Sequence, residues 1–265
     1  MIQLVVSDID GTLLPYGDTV LSDEIFTIIE QLKARGIPFC PTSGRQYHSL
    51  RTLFPGIADE LSYVCENGGV IYGPGTEDEA PILTSFPMDR EQALTLAREI
   101  LQLPDSQLLI TGAKYAYLCQ CTQEYVEHMR DFKGFQLKIV EDVAEIPEEI
   151  LKVSAYCPLG TRPAAEKLGP TWSRVFQMAV AGEDWLDFTL ADKGQGVLGL
   201  CRVMGIPPEN VLAFGDNWND VAMLSVVGHP YLMASAEQGL LDQFPTTCHR
   251  VEDVLRHFLD TNQLP

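Results

Sequence analysis

Apolar residues follow two different periods in the first third of the chain. Residues 2–7 (IQLVVS) form a mostly apolar run, which is typical of a strand buried on both faces. Residues 22–35 repeat apolar side chains at helical spacing, with Ser22 as a suitable N-cap and Gly36 as a stop signal. The alternation continues with strands at 37–41 and 62–65 and a helix near 46–54.

The middle of the chain alternates less regularly, and the first pattern returns after it. The regular alternation of strand and helix predicts a parallel sheet with helices on both faces. We therefore predict an α/β fold: a Rossmann-like, doubly wound parallel-sheet core formed by residues 1–83 and 187–265, with an inserted α+β domain over residues 84–186. The predicted elements of the insert are helices at 89–102, 123–132 and 162–168 and strands near 107–111, 115–120, 136–140, 151–156 and 173–178. Those of the returning core are a strand at 211–214 and helices at 194–204, 219–226 and 250–260.

Charge limits the classes of partner. The chain has 18 Lys and Arg against 37 Asp and Glu, a net charge of -19. Such a surface disfavours nucleic acids and anionic membranes, whose binding depends on clustered basic residues. No apolar run approaches the ~18–20 residues of a membrane span. Any phosphate site in this chain therefore needs local positive charge from a metal, a few basic side chains or backbone N–H groups.

The cysteines indicate the compartment. There are seven, an odd number, and they are scattered through apolar segments. The chain enters an apolar strand within two residues of its start, with no signal segment. We therefore expect reduced thiols and a cytoplasmic protein.

Two carboxylates follow the first predicted strand. Asp8 and Asp10 stand two residues apart beside Gly11. One can attack phosphorus while the other donates and accepts a proton, and both can serve a hard cation such as Mg²⁺. An EF-hand loop also begins with this spacing, but its sixth position needs glycine and its twelfth needs glutamate, whereas Thr19 occupies the twelfth. The same spacing occurs in the acidic motif of sugar-nucleotide transferases, and a plain Asp-Gly turn would also produce it.

Three further clusters lie at or near predicted strand ends or helix starts, where α/β proteins bind ligands. Residues 42–45 (TSGR) offer a hydroxyl, backbone N–H groups and an arginine that can hold phosphoryl oxygens. Residues 192–194 (DKG) place a lysine at a helix start, where anions are favoured. Residues 215–220 (GDNWND) supply two more acids after an apolar strand. Taken singly, these clusters could be a helix cap, a solvated lysine and a solvated turn.

In combination, the ordered motifs DxDGT, SGR, DKG and GDNWND resemble the haloacid dehalogenase superfamily. Residues 66–69 (ENGG) and an insert of about 100 residues resemble its Cof-type branch of sugar phosphatases and related enzymes. The resemblance covers the core, roughly residues 1–83 and 187–265. The insert matches the cap domain of that branch in placement and size more than in sequence. The resemblance implies a phosphatase that transfers a phosphoryl group to its own aspartate and then to water.

The resemblance also implies roles for the acidic residues. Asp8 corresponds to the nucleophile and a magnesium ligand. Asp10 corresponds to the general acid and base, with its backbone carbonyl on the metal. Asp216 corresponds to a second carboxylate ligand, and Asp220 to a support of the metal from its first or second shell. Mg²⁺ is the implied cofactor, since a set of oxygen ligands favours it over zinc.

The remaining implied roles concern the phosphoryl group. Ser43, the Gly44 N–H and the Ile9 backbone correspond to groups that hold it, and Asn219 to a further phosphate contact. Lys193 corresponds to the cation that neutralises the nucleophile and the phosphoryl charge. Lys193 and Mg²⁺ would together supply the positive charge that this acidic chain needs.

The sequence does not identify the substrate. By resemblance, we expect a small phosphorylated metabolite, in particular a sugar phosphate. Arg45 is a candidate substrate-binding residue, and the uncommitted candidates in the cap, each as readily a solvated surface residue, are Lys114, Tyr115, Arg174 and Asp184. Two departures from the family are a serine at 43 where threonine is common and Ser235 in place of a common asparagine. The alternatives are a phosphomutase of the same fold and a non-catalytic phosphosugar-binding protein, and the presence of Asp8, Asp10 and Asp216 disfavours the second. The oligomeric state is unknown.

Overall fold

A computed structural model of the chain describes residues 1–132, 136–181 and 184–265. The described strands are β1 (Leu4–Ser7), β2 (Phe39–Pro41), β3 (Tyr63–Cys65), β4 (Val70–Tyr72), β5 (Ile82–Ser85), β6 (Gln107–Thr111), β7 (Ala116–Cys119), β8 (Leu137–Val140), β9 (Lys152–Tyr156), β10 (Gln177–Ala181), β11 (Trp185–Thr189), β12 (Val211–Gly215), β13 (His229–Met233) and β14 (Thr247–Cys248). The described α-helices are α1 (Asp23–Ala34), α2 (Tyr47–Arg51), α3 (Arg90–Ile100), α4 (Gln123–Glu127), α5 (Arg162–Trp172), α6 (Lys193–Met204), α7 (Val221–Val226), α8 (Gln238–Leu241) and α9 (Val251–Thr261).

The chain divides into two compact units. The first, here called the core, comprises Met1–Gly44, Leu50–Thr84 and Asp192–Pro265. The second, here called the inserted unit, comprises Arg45–Ser49 and Ser85–Ala191. The domain boundaries derived from the sequence, residues 1–83 and 187–265 for the core and 84–186 for the insert, remain a prediction. None of the described helices combines the length and the apolar character that a membrane span requires.

The core is built on a five-stranded parallel sheet in the order β14-β13-β12-β1-β2. Strand β1, which lies between β12 and β2, is buried along its whole length because neighbouring strands and helices cover both its edges and its faces. Leu4 and Val6 belong to the same buried apolar cluster as Val197 and Leu200 of α6. The predicted doubly wound parallel sheet is confirmed.

A smaller three-stranded sheet, β3-β4-β5, lies beside β2 in the core. A parallel bridge between Thr42 and Val64 joins the two sheets, and β3 and β4 form an antiparallel pair. The sequence analysis did not identify β4 and β5, which are short and partly separated by Gly and Pro residues. Strand β13 was also not predicted, because it contains Pro230 and proline is unusual inside a strand.

The inserted unit contains a six-stranded sheet in the order β10-β11-β9-β6-β7-β8. Its strand pairs are antiparallel except for β7 and β8. Helices α3 and α5 bury one face of this sheet through a large apolar cluster. On the other face, Tyr125, Val126 and Met129 pack against Leu109 and Leu118. A mixed α+β architecture was predicted for this segment.

The end of α5 differs from the prediction. The sequence indicated a helix over 162–168 followed by a strand at 173–178, and Pro170, a residue type that normally ends a helix, lies between them. The helix instead continues to Trp172 with Pro170 inside it, and the strand is β10. The indole N–H of Trp172 donates to Glu99 at 2.8 Å, and its ring stacks on Phe176. This packing stabilises the last turn against the proline.

Candidate active site

Three strand ends of the core sheet bring the polar motifs together. Asp8 follows β1, Ser43 follows β2, and Asp216 follows β12. The Asp8 N–H donates to the Phe214 carbonyl at 2.9 Å, and the Thr42 N–H donates to the Ser7 carbonyl at 2.8 Å. The parallel register of the three strands therefore continues past their ends and aligns the first residues of all three motifs.

A tight turn follows Asp8. The N–H groups of Thr12 and Leu14 both donate to the Ile9 carbonyl, at 3.1 and 2.8 Å. Gly11 has a φ of +89°, and a Cβ atom there would lie 2.2 Å from Oδ2 of Asp216. Only glycine satisfies both restrictions. The close approach of the Asp216 carboxylate therefore requires glycine at position 11.

Lys193, the first residue of α6, is the basic centre of the site. Its side chain is 1% exposed, and Nζ donates to Oδ1 of Asp8 and to Oδ1 of Asp220, both at 2.6 Å. Gly68, with a φ of +96°, lies under the start of this helix, and a Cβ atom at that position would be 2.0 Å from the Asp192 carbonyl. The 66–69 turn thus sets where Lys193 begins its helix.

The charges around Lys193 are unbalanced. Burial by itself would lower the pKa of the Lys193 ammonium, but the carboxylates of Asp220 and Asp8 outweigh it and raise that pKa above its ordinary value. Burial, and then Asp220, raise the pKa of the Asp8 carboxyl well above its ordinary value, and Lys193 offsets only part of this. Burial and Asp220 also raise the pKa of Asp216. The lysine is therefore charged, and the carboxylates lack enough positive charge around them.

The two acids of the fourth motif have different surroundings. Oδ1 of Asp216 accepts a hydrogen bond from the Thr12 hydroxyl at 3.1 Å, and Oδ2 accepts one from the Tyr16 hydroxyl at 2.9 Å. Asp220 is fully buried, and its Oδ2 accepts the backbone N–H groups of Asp216 and Asn217 at 3.0 and 3.1 Å. Asp220 thus binds both Lys193 and the turn that carries Asp216.

Asp8, Asp216 and Asp220 form a cluster that could hold a metal ion. One carboxylate oxygen from each lies within 4.8 Å of the others, and all three residues are buried. With all groups ionised, three carboxylates and one ammonium leave two negative charges in excess. A divalent cation would neutralise this excess, and carboxylate oxygens favour a hard ion such as Mg²⁺. The residues present therefore fit the implied metal.

A second polar group surrounds the β2 end. Ser43 is buried, and a Cβ atom on Gly44 would lie 3.0 Å from Oδ1 of Asn67. The same Oδ1 accepts a hydrogen bond from the Asn219 side chain at 3.3 Å. Asn67 and its neighbour Glu66 both have positive φ values, 54° and 53°, which is rare for residues other than glycine. This strained turn holds the Asn67 amide beside the second motif.

The structure brings most of the predicted site residues together within the core. The buried group contains Asp8, Ser43, Lys193, Asp216 and Asp220, with the Ile9 backbone forming the turn. Asp10 is half-buried and its carboxylate is outside the three-carboxylate cluster, while Arg45 is grouped with the inserted unit.

Three residues of this region were not predicted as site residues: Thr12, Tyr16 and Asn67. Thr12 and Asn67 lie inside motifs that the sequence analysis quoted, so their position was a usable signal. No pattern in the sequence distinguishes Tyr16, because its contact depends on the path of the loop after the first motif.

Comparison with known proteins agrees with this geometry. The family model of haloacid dehalogenase-like hydrolases matches residues 5–253. A 5-amino-6-(5-phospho-D-ribitylamino)uracil phosphatase of Escherichia coli is 25% identical over 238 residues, covering 89% of this chain and 86% of its own. An HMP-PP phosphatase of Cronobacter sakazakii is 26% identical over 281 residues, covering 98% and 97%. A solved structure from Eubacterium rectale is 28% identical, with a TM-score of 0.86 and coverage of 97% and 99%.

The chain has an α/β core with a large insert, and an acidic cluster lies at the carboxyl edge of the parallel sheet. These features place the protein in the class of phosphatases with a Rossmann-like core. The chain belongs to the haloacid dehalogenase-like hydrolase family. The resemblance to the superfamily, drawn from the four motifs, and to its Cof-type branch, drawn from residues 66–69 and the insert, is confirmed.

Proposed function

We propose that this phosphatase hydrolyses small phosphorylated metabolites, with sugar and sugar-alcohol phosphates as the favoured class, and that it uses Mg²⁺ and a phospho-aspartyl intermediate on Asp8. The observation that carries the proposal is the position of Lys193, whose ammonium contacts Asp8 and Asp220 at 2.6 Å within a buried cluster that keeps an excess of negative charge. Such a cluster costs folding free energy unless a cation binds to it.

In the first proposed step, an oxygen of Asp8 attacks phosphorus and the bond from phosphorus to the leaving oxygen breaks. Asp10 donates its proton to that oxygen, so the product leaves as an alcohol. Lys193 stays charged throughout and holds the Asp8 carboxylate in place. Ser43 and the Gly44 N–H hold the transferred phosphoryl oxygens, and the Ile9 backbone and Asn219 extend that contact.

In the second step, water attacks the phosphorus on Asp8 and gives a proton to Asp10. The bond between phosphorus and Asp8 breaks, which restores the carboxylate and releases inorganic phosphate. Asp8, Asp216, Asp220 and the Asp10 carbonyl would hold the metal. When bound, Mg²⁺ supplies positive charge that stabilises the phosphoryl oxygens in the transition state.

The substrate class follows from a relative. The phosphatase of Escherichia coli compared above acts on a phosphorylated ribityl compound, according to its name. We propose that the present enzyme also acts on an ester whose leaving group is a polyhydroxylated carbon chain. As part of the same proposal, the inserted unit serves as a cap domain and Arg45 contacts the substrate.

The test is phosphate release from a panel of sugar, sugar-alcohol and aromatic phosphates, with Mg²⁺ and with a chelator. Asp8→Asn should lower kcat by at least about a thousandfold, because the nucleophile is lost. Asp18→Asn is the matched control, since Asp18 is exposed and lies in the same segment. Rapid acid quench followed by peptide mass spectrometry should find one phosphoryl group on the peptide that contains Asp8.

Turnover that persists in Asp8→Asn would contradict the nucleophile assignment. Turnover unaffected by the chelator would contradict the metal. Phosphorylation of Asp8 without phosphate release, but with transfer to a second sugar, would favour a phosphomutase. The absence of both turnover and Asp8 phosphorylation across the panel would reject the proposed substrates.

A further inference from the structure

Tyr16 combines an exposed position with a contact to a buried carboxylate. The residue is 74% exposed, yet its hydroxyl donates to Oδ2 of Asp216 at 2.9 Å, and Asp216 is only 8% exposed. The reaction described above assigns no role to this tyrosine. An exposed tyrosine normally directs its hydroxyl to water, so the inward contact requires a cause in the local backbone.

The backbone supplies that cause. The Asp18 N–H donates to the Pro15 carbonyl at 3.0 Å, which closes a turn with Tyr16 and Gly17 at its centre. Gly17 has a φ of +98°, as the third residue of a type II turn requires. The turn directs the Tyr16 ring back over Gly11, where a Cβ atom would lie 2.7 Å from the edge of the ring. The absence of a side chain at Gly11 therefore leaves the space that the ring needs.

Tyr16 also complements Thr12. The two hydroxyls donate to different oxygens of the same carboxylate, Thr12 to Oδ1 and Tyr16 to Oδ2. Two donors on opposite oxygens fix the plane of a carboxylate, whereas a single donor leaves it free to rotate about its last bond. Each oxygen keeps a further lone pair for a cation.

We propose that Tyr16 is a positioning residue for the metal site, which with Thr12 holds the Asp216 carboxylate in the orientation that binds a divalent cation. This inference rests on the proposed function, since it requires the metal to bind at Asp216. Groups that orient metal ligands commonly change metal affinity by tenfold or more. The open side of the Tyr16 ring exposes this hydrogen bond to competition from water, so we expect a smaller effect.

The test is Tyr16→Phe in the full-length protein, with Tyr231→Phe as the matched control. Tyr231 also lies in the core, but its hydroxyl donates to the main-chain oxygen of Pro265 at 2.9 Å and not to a carboxylate of the acidic cluster. Titration calorimetry with Mg²⁺ alone, on chelator-treated protein, should show a dissociation constant about three- to tenfold higher for Tyr16→Phe than for the wild type. The control should match the wild type.

Two further measurements separate positioning from a general structural role. The melting temperature of metal-free Tyr16→Phe should equal that of the wild type, because most of the side chain is in solvent, while the gain in melting temperature on adding Mg²⁺ should shrink. In kinetic assays the Mg²⁺ concentration for half-maximal rate should rise, with kcat at saturating Mg²⁺ nearly unchanged.

Equal or tighter Mg²⁺ binding by Tyr16→Phe would overturn the inference while leaving the phosphatase proposal intact. A lower melting temperature of the metal-free variant, with unchanged Mg²⁺ affinity, would also overturn it. If the wild type bound no Mg²⁺ and the chelator did not change its turnover, the proposed metal dependence would be contradicted. The inference about Tyr16 would then be contradicted as well.

Discussion

Among the described residues, each unit of the molecule buries a lysine next to an aspartate, and the two arrangements differ. In the core, Lys193 contacts two carboxylates at 2.6 Å, and a third carboxylate completes the cluster. In the inserted unit, Lys152 is 3.9 Å from Asp187, whose other oxygen accepts the Ser154 hydroxyl at 2.7 Å. Both lysines are nearly inaccessible to solvent.

The comparison shows that burial of a lysine does not by itself identify a catalytic site. Lys152, Ser154 and Asp187 lie on the neighbouring strands β9 and β11, and the sheet holds the Lys152 ammonium near the Asp187 carboxylate. The core cluster keeps more negative charge than its lysine can neutralise, which favours a bound cation and a phosphoryl group. The imbalance of charge is therefore what separates the candidate site from an internal ion pair.

Replacing each lysine by methionine gives the largest expected contrast. Lys193→Met should lower kcat by roughly a hundred- to a thousandfold, as for other groups that stabilise developing charge. Lys152→Met should keep kcat within about threefold but unfold more easily, because it leaves Asp187 buried without its cation. Rates at saturating Mg²⁺ and melting curves measure both effects. A folded Lys152→Met variant with no activity would show that Lys152 is needed for catalysis. That result would contradict the proposed difference between the two lysines.

Ser154→Ala tests the balance of the pair in the inserted unit. Losing the hydroxyl that binds Asp187 should lower the free energy of unfolding by about 1.5–3 kcal/mol, as for other hydrogen bonds to a charged group. Denaturant titration measures the change. Ser106→Ala is the control, since the Ser106 hydroxyl contacts only neutral groups, the Pro104 carbonyl at 3.4 Å and the Cys157 sulfur at 3.5 Å. Equal stability of the two variants would mean that Asp187 does not depend on Ser154.

The pH dependence of stability tests the excess charge in the core, with the smallest expected effect. The pKa of Asp8 is raised in the folded protein, so between its unfolded and folded pKa values the native state binds more protons than the unfolded state. In metal-free protein, the contribution of Asp8 to stability therefore falls as pH rises above about 4. Metal-free Asp8→Asn should lose less stability over this range and should melt about 2–4 °C higher at pH 7.

Melting curves from pH 4 to 8, with a chelator and then with Mg²⁺, measure this difference. Added Mg²⁺ should stabilise the wild type more than Asp8→Asn, because the variant has lost one carboxylate ligand. A metal-free wild type that is more stable than the variant at pH 7 would show that Lys193 already balances the cluster.

The sequence predicted the core elements that carry the four motifs because those elements have strong local signals. The apolar run of β1 and the helical spacing before Gly36 each predict their own element. The motifs after β1, β2 and β12 mark the ends of these strands, and the parallel topology brings those ends together. The family resemblance added the roles of these residues, which remain proposals. The short strands β4, β5 and β14 carry little periodic signal, and Pro230 interrupts the pattern of β13, so these strands were missed.

Elements that depend on tertiary packing could not be predicted in the same way. Trp172 keeps α5 helical beyond Pro170 through contacts with side chains distant in sequence. Tyr16 reaches Asp216 only because two turns return the chain to the end of a strand 200 residues away. The sequence contains the residues for these contacts, but their partners become identifiable only after folding.

The close packing of Gly68 under the start of α6 has a consequence for enzyme engineering. Copying four charged residues onto another scaffold, Asp8, Lys193, Asp216 and Asp220, would transfer the charges. It would not transfer the 66–69 turn, which positions the start of the helix that carries the lysine. A host with an ordinary side chain at that place would push the helix outward and separate the lysine from its carboxylates. The portable unit is the four charged residues together with the 66–69 turn, and a graft that omits the turn should assemble the charges without the 2.6 Å contacts.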